Sequence, residues 1–77
     1  MGFISLTQDE SMQLLFEKNG IFEITPRVIL ADRNLNELSS IELSENQVYL
    51  SVRDLKKGIY FFKLNVGNSS EWVQLKI

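Results

Sequence analysis

The sequence predicts a mainly β fold, a small antiparallel β-sandwich of immunoglobulin-like type with at most one short N-terminal helix. Three observations carry that expectation. After residue 20, apolar residues alternate with polar ones over several short segments, the period of a half-buried strand. Polar and glycine-containing breaks separate those segments at spacings of roughly ten residues, as in sandwiches and small barrels. A chain of 77 residues suits a single β domain spanning residues 1–77, burying about 60 % of its unfolded surface.

Residues 7–19 admit two readings. Thr7-Gln8-Asp9-Glu10 fits a capping box, and Met12, Leu15, Phe16 and the stop at Asn19-Gly20 then complete a short helix. In the other reading Met12 to Glu17 is a strand, and Asn19-Gly20 is a hairpin turn into Ile21–Thr25. Against the strand, Leu14-Leu15-Phe16 breaks the alternation; for it, the flanks are β-rich. Ile21-Phe22-Glu23-Ile24-Thr25 reads as a strand stopped by Pro26, which has no N–H for a ladder.

Val28 to Ala31 is the next strand, broken at Asp32-Arg33-Asn34. Leu38 to Leu43 follows and closes at Ser44-Glu45-Asn46. Val48, Leu50 and Val52 then alternate with Gln47, Tyr49, Ser51 and Arg53. The turn Asp54-Leu55-Lys56-Lys57-Gly58 supplies in Gly58 a residue free to take positive φ. Tyr60, Phe62, Leu64 and Val66 form one face of a further strand, and Ile59 and Phe61 on its other face suggest a central position. A polar loop, Asn65 to Ser70, leads to a last strand with Val73, Leu75 and Ile77 inward. The sum is five or six strands, with Val48, Leu50, Val52, Tyr60, Phe62, Leu64, Val73 and Leu75 in one core.

Composition narrows the chemistry. The chain has no cysteine and no histidine, so disulfides, thiolate nucleophiles and the commonest neutral-pH acid–base and metal-ligating side chain are missing. Catalysis needs a nucleophile with a base, carboxylates of split acidity or a metal cage. The adjacent acids Asp9-Glu10 read as solvated or as serving a helix start, and the four glycines are isolated rather than in a phosphate loop. The expectation is a non-enzyme with no catalytic, cofactor or metal residues.

Eight basic and ten acidic residues leave a net charge of −2, which does not favour nucleic acid. Arg53, Lys56 and Lys57 form the one basic cluster and read as a solvated turn. The apolar runs are too short for a membrane-spanning helix, and MGFISLTQDE lacks the basic start of a signal peptide. Asn68-Ser69-Ser70 matches a glycosylation sequon but reads as turn composition. Trp72 is opposite the inward set of its strand; in so small a domain it is expected in the core rather than as an interface anchor.

The second half of the chain resembles the C-terminal sorting domain of type IX secretion system cargo proteins, over residues about 19–77. Asp54-Leu55-Lys56-Lys57-Gly58-Ile59-Tyr60-Phe61 matches the family's central motif and Gln74-Leu75-Lys76-Ile77 its ending. Asp32-Arg33-Asn34-Leu35 is placed as the first turn but lacks its glycine. Asn19-Gly20-Ile21-Phe22 is similar to the opening strand without the preceding Asn-Pro. The resemblance implies a folded tag read by secretion machinery, with export or cell-surface localisation. Its readable residues are then Lys56, Lys57, Gly58, Tyr60, Leu75, Lys76 and Ile77. The alternative is a small stand-alone cytoplasmic binding protein, such as an inhibitor or an assembly accessory. Either way the expected partner is a protein, without membrane insertion.

Overall fold

The computed structural model describes residues 2–77, and the described chain is all β. Seven strands follow in order: β1 (Gly2–Gln8), β2 (Gln13–Gly20), β3 (Arg27–Ala31), β4 (Glu37–Glu42), β5 (Gln47–Ser51), β6 (Ile59–Val66) and β7 (Ser69–Lys76). They build two antiparallel sheets, β1-β2-β5 and β4-β3-β6-β7. The shortest dimension is 15 Å, the thickness of two sheets stacked about 10 Å apart. The β-sandwich expected from the period-two pattern is therefore the fold. Constant-type immunoglobulin sandwiches place the fourth strand beside the fifth; here β4 pairs with β3 instead.

Residues 7–19 are a hairpin, not a helix. Thr7 belongs to β1, and the Asp9 carboxylate accepts hydrogen bonds from the Ser11 N–H, the Ser11 hydroxyl and the Gln13 N–H. This local bonding offers the backbone a turn in place of a helical start. β2 then buries Leu14 and Phe16 and leaves Leu15 on its outer side, so the contiguous apolar run is split between the two faces.

The expected hairpin at Asn19-Gly20 does not form. Both residues stay in β2, where Gly20 pairs with Gly2 and Asn19 with Phe3. Residues 21–25 carry no ladder; they cross between the sheets, and Ile21 and Ile24 remain 77 % and 60 % exposed. A β-rich composition alone does not make a strand; it needs a ladder partner, and these residues pair with none. Gly2 admits this crossing: a Cβ there would stand 2.6 Å from the Phe22 ring.

The core joins Leu14 and Phe16 of β2, Val28 and Leu30 of β3, Tyr60 and Phe62 of β6, and the loop residues Leu43 and Val52. Of the eight expected core residues, Val52, Tyr60 and Phe62 are buried, and Val48, Leu50, Leu64 and Leu75 pack half-buried against them. Val73 departs from the expectation. It is 36 % exposed, although it pairs with Phe62 and shares its inward side.

Two side chains take the places that define immunoglobulin cores. In antibody domains a tyrosine at the start of the sixth strand bonds back to the chain, and two residues later a cysteine crosses to the second strand. Here Tyr60 donates to the Lys56 carbonyl at 2.6 Å. Two residues on, Phe62 meets Phe16 of β2 edge to face, with centroids 5.6 Å apart. An aromatic pair thus bridges the sheets where antibody domains carry a disulfide.

Candidate recognition surface

Three surfaces expose groups able to bind a partner. The first is the corner where the 54–58 turn meets the end of β7. The Leu55 N–H donates to the Val52 carbonyl at 3.2 Å, and the Leu55 side chain packs against the core. Gly58 has φ of 153°, open to glycine and strained for other residues. Its N–H donates to the Ile77 carbonyl at 3.0 Å, and the Ile77 N–H returns a bond at 2.9 Å. One rung on, Ile59 pairs with Lys76 and Tyr60 with Leu75.

The residues singled out from the sequence are therefore brought together, but they divide in character. Lys56, Lys57 and Lys76 are exposed, and Leu75 and Ile77 are half-buried. Tyr60 is buried with its hydroxyl committed to Lys56, so it holds the corner in shape rather than contacting a partner. Gly58 contributes backbone alone. Arg53 is tethered elsewhere, donating to the Ser11 carbonyl at 3.3 Å.

The second surface is the outer face of the four-stranded sheet. Trp72 is there, not in the core as expected, and is 47 % exposed. Its ring stands edge-on to Phe61 at 6.4 Å, with the Lys63 ammonium 5.7 Å from its centroid. β7 is an edge strand. Arg27 and Glu42 close an exposed ion pair at 2.6 Å across β3 and β4.

The third surface is a cleft of about 640 Å³ at the open side of the sandwich. Gly2, Ile4, Ile24, Leu64, Val66 and Glu71 are among its walls. It continues inward, sharing Ile4, Leu64 and Glu71 with a smaller hollow of about 120 Å³ that Leu6, Phe16, Phe62 and Val73 also line. Sequence reasoning missed this cleft. The alternation of β7 does place Glu71 on the side of Val73, but that this side stays open depends on how the two sheets pack, which local pattern does not contain.

Two carboxyls among the described residues have shifted acidity. Hydrogen bonds from Ser11 and Gln13 hold the Asp9 carboxyl below its ordinary range. The Asn36 N–H, with its side-chain amide and the Asn34 N–H, does the same for Asp32. Both belong to hairpin turns. Among the described residues, no three acids gather as they would around a metal ion. No known family model matches the chain, and no curated protein is significantly similar to it.

Proposed function

We propose that this chain is a non-catalytic β-sandwich recognition module of the sorting type, a folded tag read by secretion machinery at the corner of the 54–58 turn and β7. The observation that carries the reading is the reciprocal hydrogen bonding of Gly58 and Ile77. It joins the two segments that resemble the sorting-domain motif into one structural unit. A receptor that accepts many unrelated cargoes must read a fixed geometry, and this corner presents Lys56, Lys57 and Lys76 from a frame set by Tyr60 and Gly58. The free edge of β7 also offers ladder groups that a receptor strand can extend.

The test appends residues 19–77, and in parallel residues 1–77, to a neutral reporter with its own export signal, in cells that have a type IX machine. The longer fusion retains β1, which pairs with β2 along its length. Release to the cell surface or medium that is lost with Lys56→Glu, Lys57→Glu and Lys76→Glu together supports the proposal. Retention of a demonstrably folded fusion in the periplasm overturns it. The chain would then be a stand-alone binding protein, and affinity capture with the same triple variant as control would be the next measurement.

A further inference from the structure

The two sheets are unequal, and a cleft opens between them where the edge strands β1 and β7 meet. Three strands, β1-β2-β5, face four, β4-β3-β6-β7. β1 and β7 are both edge strands, and Ile4 and Leu6 of β1 line the same hollow as Glu71 and Val73 of β7. They therefore bound the same open side. The inner side of β6 is covered, with Phe62 only 1 % exposed, whereas Val73 beside it is 36 % exposed. A strand added to the free edge of β1 would wall the open side of this cleft, next to Glu71 and Val73.

The walls also state what kind of strand fits. They are apolar except for backbone, Ser69, Glu23 and Glu71, and no lysine or arginine lines either part of the cleft. Glu71 pairs in register with Leu64, on the inward side, and makes no salt bridge among the described residues. An acid on an apolar sheet face favours a cation brought by the occupant.

We infer that the β1–β7 cleft binds an extended segment of a partner protein, paired as an eighth strand along β1, with apolar residues at alternate inward positions and a lysine or arginine set against Glu71. Main-chain bonds to β1 supply affinity and the inward side chains supply selectivity. This surface is at the opposite end of the β6–β7 hairpin from the Gly58–Ile77 corner, so it stands or falls independently of the sorting role. An occupant rich in acidic residues is disfavoured by Glu23 and Glu71 together, and two copies of this chain would bring both acids into the same groove.

The test uses the whole chain, isotope-labelled for NMR, and a set of capped nine-residue peptides alternating threonine with valine. The central inward valine is kept, or replaced by lysine or by glutamate. Binding of the lysine peptide about fivefold tighter than the glutamate peptide is expected. Shifts should cluster on β1, Glu71 and Val73, with new exchange protection along β1. Glu71→Gln should remove most of the preference. Val73→Lys, which sets the chain's own cation beside Glu71, should abolish binding with an unchanged melting temperature. Equal affinity for the two charged peptides, shifts centred on Trp72 or on β4, absence of binding by all three peptides, or peptide-free dimerisation through β1 in sedimentation would each overturn the inference.

Discussion

At the scale of single residues, three backbone positions and one hydroxyl shape the local structure. Met12 and Leu35 both have positive φ, 64° and 66°. Each ends the same turn: the Asp9 or Asp32 N–H donates across the loop to Gln13 or Asn36, and the Met12 or Leu35 N–H donates back to the aspartate carbonyl. Leu35 thus occupies the place where a glycine would be at ease, and it is 57 % exposed. Leu35→Gly should raise stability by about 0.5–1 kcal/mol, because a left-handed conformation costs L-residues about 1–2 kcal/mol. Met12→Gly should not gain, since Met12 packs against the core. Urea melts of the two variants test the contrast; a loss at Leu35 as large as that at Met12 would refute it. Tyr60→Phe removes the hydrogen bond to Lys56 and should cost about 1 kcal/mol with the fold retained. Gly58→Val should cost more than Gly58→Ala in thermal melts, since a Cβ at Gly58 meets no atom within 4 Å and the penalty is conformational, greatest for a β-branched residue.

At the scale of elements, legibility followed burial on one side. β5 and the inward sides of β6 and β7 were readable because apolar and polar residues alternate there. β2 was ambiguous because Leu15 covers the outer face of its sheet, opposite Tyr49 of β5, and this fills the alternation in. β1 was not foreseen: Ile4 and Leu6 give only two inward aliphatics, and the polar run after them resembles a helix start. Of the candidate site, the turn and the terminal strand were legible, but their union is a matter of register. The aromatic cluster of Phe61 and Trp72 depends on pairing Lys63 with Trp72, a long-range fact that local pattern does not contain. The Phe16–Phe62 bridge makes a measurable claim. A double-mutant cycle with Phe16→Leu and Phe62→Leu should return a coupling of about 0.5–1.5 kcal/mol. Additive effects would mean that the two rings act only as bulk.

At the scale of the whole molecule, stability is limited by size, and two of the turns are sensitive to acid. A domain of this size has roughly 4–12 kcal/mol in hand, so Phe62→Ala, at about 3–5 kcal/mol, should unfold much of the population at moderate temperature. Asp9 and Asp32 are held below their ordinary value of 3.8. A carboxyl depressed in the folded state stabilises above its unfolded value, and that contribution disappears as pH falls through the folded one. The melting temperature should therefore drop as the solution is acidified below about pH 4. Asp9→Ala with Asp32→Ala should be less stable at neutral pH and lose less on acidification; an acid limb as steep as the parent's would remove these turns as its source. The pairing pattern also sets the order of assembly in time. β1 with β2, β3 with β4, and β6 with β7 are neighbours along the chain, and such hairpins close in about 1–10 μs. β2 with β5 and β3 with β6 join distant segments, Glu17 to Gln47 and Arg27 to Asn65 among them. Loop closure must precede any reward from those contacts, so the chain should pass quickly to three fluctuating hairpins and then wait, in the millisecond-to-second range, for the two central ladders to find one another.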